Sequence, residues 1–167
     1  MNPDGFDSTT TQIAKHWLVA LAFVVLALLL PWHQLLANGN VRFERISLEH
    51  GLSQANVVQI LQDQQGFMWF ATEDGLNRYD GNQFEVYKHS PEYHDSLSGN
   101  YINCLFEDRK GVLWIGTQTG LNRFDRVTET FKRYQHDPSD TGSLSINEVL
   151  SIEEDQTDVL WIGTNGG

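Results

Sequence analysis

Asp108-Arg-Lys-Gly111-Val-Leu-Trp114-Ile-Gly-Thr117-Gln-Thr-Gly120-Leu-Asn-Arg-Phe124 is the stretch whose reading decides the fold. Asp108-x-x-Gly111 has the chemistry of a tight turn: the carboxylate accepts backbone N–H groups and glycine supplies a positive φ at the exit. An apolar run follows, centred on Trp114 and ended by Thr117. A second turn closes at Gly120, and a further strand carries the polar pair Asn122-Arg123. The same landmarks stand on both sides. Upstream they are Asp63, Gly66, Trp69, Thr72 and Gly75, and downstream Asp155, Trp161 and Thr164. The tryptophans are 45 and then 47 residues apart, as are the aspartates, the threonines and the leucines Leu52, Leu97 and Leu144. Without a gap, residues 51–80 match 96–125 at eleven positions.

Each unit reads as four short strands. In the first these are Val57 to Leu61, Phe67 to Thr72, Leu76 to Tyr79 and Phe84 to Tyr87, with Asp80-Gly81 as the last hairpin turn. The second unit carries two extra residues in that hairpin, between Arg126 and Thr130, which accounts for the longer spacing. A four-stranded unit of about 45 residues is the size of one β-propeller blade. The fold class is therefore all-β: a β-propeller of four-stranded antiparallel blades, here an N-terminal fragment of about two and a half blades. The expected organisation is a signal peptide or signal-anchor over 1–37, a lead-in strand over 38–51, and blade repeats over 52–95, 96–142 and 143–167. The third unit is expected to lack its last two strands, because the other units continue with Leu-Asn-Arg-aromatic. An open arc leaves apolar faces uncovered, so these residues alone are expected to fold poorly.

Lys15 and His16 precede an apolar run from Trp17 to Leu30 that ends at Pro31. The run suits a signal-peptide hydrophobic region and is short for a membrane span. Leu35-Leu36-Ala37 offers a cleavage site, whereas inclusion of Leu35 and Leu36 makes an uncleaved anchor. Either reading sends the remainder out of the cytoplasm. The net charge of −11 opposes binding to phosphate backbones, so nucleic acid is not an expected partner. The one cysteine, Cys104, cannot form an intrachain disulfide and reads as a small buried apolar residue.

Leu-Ser before a strand, then Asp-x-x-Gly, Trp, Thr-x-x-Gly-Leu-Asn-Arg-aromatic, resembles the two-component regulator propeller repeat. Residues 41–167 carry the resemblance, with departures at Ala71 and Asp158, where glycine is usual, and at Asn56, one place away from the positions of Asn100 and Asn147. The resemblance implies the periplasmic sensor region of a membrane-bound histidine kinase, hybrid two-component sensor or diguanylate cyclase. The output domain itself has no counterpart in these residues. A secreted propeller lyase or hydrolase, or an adhesion or scaffold propeller, is the competing reading.

Residues recurring once per unit read as structural: Asp63, Asp108 and Asp155 at turns, and Trp69, Trp114 and Trp161 between blades. Asn77, Arg78, Asn122 and Arg123 are the ligand-binding candidates. They are polar residues in an otherwise apolar blade, and arginine is suited to a carboxylate. His89, His94 and His136 fall in the connections at no metal-ligand spacing and read as solvated loop residues. No Ser-His-Asp order and no Gly-x-Ser-x-Gly elbow occurs, so no catalytic residue, metal or cofactor is expected. The expected partners are a small molecule or oligosaccharide and the remaining blades of the same chain, with a homodimer also allowed.

Overall fold

The structure, a computed structural model, describes residues 41–166, and the signal-peptide or anchor reading of 1–37 lies outside them. The chain divides between Phe43 and Glu44 into two compact units, of which the second holds every strand described here. Its first sheet runs β1 (Val57–Gln62), β2 (Met68–Thr72), β3 (Gly75–Tyr79) and β4 (Phe84–Tyr87), each antiparallel to the next. The second repeats the order with β5 (Ile102–Glu107), β6 (Leu113–Thr117), β7 (Gly120–Asp125) and β8 (Thr130–Tyr134). The third sheet pairs β9 (Val149–Glu154) with β10 (Leu160–Thr164). The four-stranded blades are thus observed, in sequence order and antiparallel throughout.

The repeated aspartate sets the first turn of each blade. Asp63 Oδ1 accepts the amides of Gln65 and Phe67, both at 3.0 Å, and Gly66 takes φ +92°. Trp69 Nε1–H donates to the other oxygen, Asp63 Oδ2, at 2.8 Å. Asp108 makes the same three bonds to Lys110, Val112 and Trp114, and Asp155 to Thr157, Val159 and Trp161. In the third turn Asp158 replaces glycine at φ +63°, which aspartate tolerates. A second repeated network fixes the segment entering each blade. Ser53 N–H donates to Asn77 Oδ1 at 2.8 Å, Asn77 Nδ2 donates to Ser53 Oγ, and Ser53 Oγ meets Thr72 Oγ1 at 3.0 Å. Ser98, Asn122 and Thr117 reproduce it. The third copy keeps the Ser145–Thr164 contact.

Blades bury their faces against one another. Trp69 is fully buried, with Phe124 of the second blade edge-on at 5.2 Å, and Tyr87 meets Phe124 and Phe131. Burying an indole of this kind contributes several kcal/mol; truncations of buried tryptophan cost about 3–5 kcal/mol. Backbone and side chains also cross the interface. Gln64 N–H donates to Glu107 at 2.9 Å, and Arg109 N–H donates to the equivalent Glu154 at the same distance. Gln59 reaches across to bond both the N–H and the C=O of Leu105.

The two extra residues lie where the spacing put them. Tyr79 pairs with Phe84 in the first blade, and Phe124 with Phe131 in the second, whose hairpin is longer by two. That longer hairpin reaches back to the first blade. Arg126 donates to Asp63 Oδ2 at 2.7 Å, to Glu107 at 2.8 Å and to the Gly111 carbonyl.

One expectation is corrected. Residues 41–47 form no strand, and a 3-10 turn, Leu48–His50, follows; among the described residues this segment has no ladder partner, which a strand requires. The three tryptophans are not equally buried: Trp69 is 0% exposed, Trp114 is half-buried, and Trp161 is 64% exposed. Trp69 is covered by Phe124 from the third strand of the following blade, and among the described residues no such outer strand lies against Trp114 or Trp161.

Three outcomes follow from this packing. Asp108→Ala removes two turn bonds and the Trp114 bond, and is expected to destabilise the folded region by about 2–4 kcal/mol, read from chemical unfolding of the full-length protein. Gly116→Ala places a Cβ at 2.5 Å from Cys104 Sγ and 2.7 Å from Val149 Cγ1; a melting temperature unchanged by it would refute the tight blade contact. Burial pushes the Cys104 thiol up to about 11. Its alkylation at pH 8 is therefore expected to run at least about a hundredfold slower than that of an exposed thiol.

Candidate functional site

Antiparallel order sorts the turns to two ends of each blade. The aspartate turns and the β3–β4 hairpins share one end. The β2–β3 turns and the connections between blades share the other. Identical residues at equivalent positions serve the fold, so a site specific to this protein is sought where the copies differ.

Of the four residues singled out in the sequence, Asn77 and Asn122 are fully buried and their amides are spent on the Ser53 and Ser98 networks. They hold the blade together and present nothing to a ligand. Arg78 is also committed. It pairs with Glu85 on its own blade and, at 2.8 Å, with Glu129 of the next, and it lies over the rings of Phe67, Trp69 and Tyr87. Arg123 is exposed, and its cross-strand neighbour is Lys132, where Arg78 faces Glu85. It occupies the same blade face as Arg78, the face that meets the next blade.

The loop histidines are likewise built in. His89 Nδ1–H donates to the Leu97 carbonyl at 2.7 Å, and His89 N–H donates to Asn100 Oδ1. His136 makes the same pair of bonds with Leu144 and Asn147. His136 is exposed, as a solvated loop residue is, and His89 is half-buried; the connection needs a partner for a leucine carbonyl, and in both cases the imidazole supplies it. The shared spacing of His89 and His136 from Leu97 and Leu144 is the sequence signal that reveals this.

The end bearing the connections carries one group of residues that differ between copies. Asn56 and Tyr101 occupy near-equivalent places, and both reach Glu73: Asn56 Nδ2 donates to it, and Tyr101 Oη does so at 3.2 Å. Lys88 and Asp74 pair at 2.6 Å beside them. In the third copy Glu148 accepts from Asn165 at 2.7 Å. The Glu73 carboxylate, by accepting from the phenol, holds the Tyr101 hydroxyl above its ordinary pKa. Carboxylates, amides and a tyrosine face side by side form a rim that can donate to and accept from hydroxyl groups. Among the described residues no cluster of His, Cys, Asp and Glu is arranged to hold a metal ion, and no helix is long and apolar enough to cross a membrane.

Comparison with known families agrees with this architecture. The pattern described as "Two component regulator propeller" matches residues 51–74, 96–119 and 143–166, one match in each blade unit. The chain is built from two-component regulator propeller repeats. Solved propeller relatives include the extracellular domain assigned to a hybrid two-component system of B. thetaiotaomicron, 39% identical over 71% of this chain and 17% of that one, with a TM-score of 0.65. A second, assigned to a one-component system of the same organism, is 30% identical over 71% of this chain and 17% of that one, with a TM-score of 0.59. Histidine kinase P4 of Formosa agariphila is 43% identical over 61 residues, which are 36% of this chain and 4% of that protein. The chain thus spans about a sixth of the length of the solved propeller relatives and far less of the kinase.

Replacement of Glu73 by glutamine removes the carboxylate that faces Tyr101. The Tyr101 titration, followed by ultraviolet difference absorbance, is expected to fall toward the ordinary tyrosine value of about 10. An unchanged titration would show that the two side chains do not meet.

Proposed function

We propose that these blades open an extracytoplasmic ligand-sensing propeller whose signal crosses the membrane to a histidine kinase or diguanylate cyclase output. The carrying observation is the three-fold repeat itself, matched by the extracellular domain of a hybrid two-component system at 39% identity and a TM-score of 0.65. The match to a histidine kinase supports a kinase output. Catalysis belongs to that output, and the blades supply recognition. The localisation that fits is the periplasmic side of the inner membrane, reached through the apolar run at Trp17–Leu30.

A small polyhydroxylated molecule or oligosaccharide is the ligand class that suits the rim of Asn56, Glu73 and Tyr101. Neutral sugars are recognised by paired carboxylate and amide bonds to hydroxyls and by an aromatic face, and the net charge of −11 leaves such neutral ligands unrepelled. The exposed Arg123–Lys132 pair gives an acidic sugar a second attraction, but its position on the face that meets the next blade places it behind the rim.

Two measurements test the proposal. Alkaline phosphatase fused within the region is expected to be active, and an inactive fusion alongside an active cytoplasmic reporter would defeat the export reading. Full-length protein in lipid nanodiscs is expected to change autophosphorylation or cyclase rate on addition of a sugar mixture, with Tyr101→Ala shifting the half-maximal concentration about tenfold or more. A response insensitive to every rim substitution would move the site elsewhere.

A further inference from the structure

The connection before the second blade is latched by an arginine. Residues 90–96 fold on themselves through Ser96: Ser90 N–H donates to Ser96 Oγ, Ser96 Oγ–H donates to the Ser90 carbonyl, and Ser96 N–H donates to the Tyr93 carbonyl. The ring of acceptors this creates is filled by Arg133 from β8, the outermost strand of the same blade. Its Nε donates to the Ser96 carbonyl at 2.7 Å, and its Nη2 to the Tyr93 carbonyl at 2.8 Å, to Ser96 Oγ and to the Ser90 carbonyl. Four acceptors thus surround one planar guanidinium, whose several fixed donors suit such a ring.

The connection before the third blade repeats the cradle. Asp137 N–H donates to Ser143 Oγ, Ser143 Oγ–H donates to the Asp137 carbonyl, and Ser143 N–H donates to the Asp140 carbonyl. The acceptors stand at the places of Ser90, Tyr93 and Ser96. Two of these positions are now aspartates, and the loop lines a cleft of about 540 Å³ together with Trp114, Leu121 and Tyr134. On the first blade both halves of the device are absent together: the counterpart of Ser96 is Gly51, with no hydroxyl, and the counterpart of Arg133 is Val86, opposite Asn77 in the ladder as Arg133 is opposite Asn122. On the two blades whose fourth strand is described, cradle and cation are either both present or both absent.

We infer that the 137–143 loop is a guanidinium receptor, and that its occupant is an arginine on the fourth strand of the third blade, at the rung opposite the counterpart of Asn122. The carboxylates of Asp137 and Asp140 add the attraction for a cation that Ser90 and Tyr93 do not supply. The apolar floor of the cleft receives the rest of that strand, as Trp69 and Tyr87 receive Phe124 and Phe131 across the first two blades. The inference rests on the propeller reading and extends it to a rule: each connection is tied down by its own blade, so the loop facing the rim is rigid only when its blade has a complete outer edge.

Full-length protein carries the test. One repeat spacing after Arg133 an arginine is expected, with its guanidinium within hydrogen-bond distance of the Asp140 and Ser143 carbonyls in a structure of the whole extracytoplasmic region. An apolar residue there, an empty cradle, or a cradle filled by a second copy of the chain overturns the inference. Hydrogen exchange separates this from general instability. Arg133→Met is expected to speed exchange about tenfold or more across 90–96 and leave 137–143 unchanged, and the methionine variant of the third-blade arginine is expected to do the reverse. Exchange that rises equally in both loops, or in neither, refutes a one-to-one latch while leaving the sensor reading standing.

Discussion

A single carboxylate with two jobs organises every blade. One oxygen of Asp63 caps the amides of its turn, and the other holds the indole N–H of Trp69 six residues on. The turn therefore cannot form without placing the tryptophan, and the tryptophan cannot be buried without a partner for its N–H, which a buried indole requires. Burial alone would raise the Asp63 pKa, but the bonds from Trp69, Arg126 and the Phe67 amide outweigh it and hold the carboxyl below the usual aspartate range. A depressed folded value contributes stability that is complete above the unfolded value of about 3.9 and is lost as the pH falls through the folded one. The contribution of Asp63 is accordingly complete at neutral pH and is lost only in acid.

What the clamp positions is a set of faces that are useful only in pairs. Trp69 is covered because β7 brings Phe124 against it, and the amide of Gln64 is satisfied because β5 ends in Glu107. Stability of this kind is a sum over neighbours, as in other repeat architectures. It also explains the division of labour within the blade. Residues that recur, such as Asn77 and Asn122, are consumed internally, and positions where the copies have diverged, such as 56, 73 and 101, lie outside those networks.

Most of the architecture was legible in the sequence because its signals are local. The Asp-x-x-Gly turns, the strand positions and the hairpin with its two extra residues each depend on residues a few places apart. Asp158 holding a left-handed backbone was legible for the same reason. The site was less so. Asn77 and Arg78 are polar in an apolar strand, which reads equally as a ligand contact or an internal bond. The choice depends on Ser53, twenty-four residues away, and on Glu129, fifty-one away. The lead-in segment failed as a strand because pairing is decided by the partner, and the sequence of one strand says nothing of whether a partner stands beside it. The backbone bonds of the loop histidines were missed because the bond from His89 to the Leu97 carbonyl has meaning only once the loop has folded back.

The longer hairpin of the second blade carries a consequence for how such a chain can change over generations. Stretches as alike as these invite unequal recombination, which would delete a blade or exchange one for another while keeping the reading frame. Arg126 and Glu129 make that exchange unequal in its effects. Both sit in the one hairpin with the extra residues, and both reach into the first blade, to Asp63 and Arg78. A copy of the first blade moved into second place would arrive with a short hairpin, leaving Asp63 without its arginine and Arg78 with Glu85 as its one carboxylate partner. The copies could thus stay alike in their turns and strands without scrambling the order in which the wedges stand.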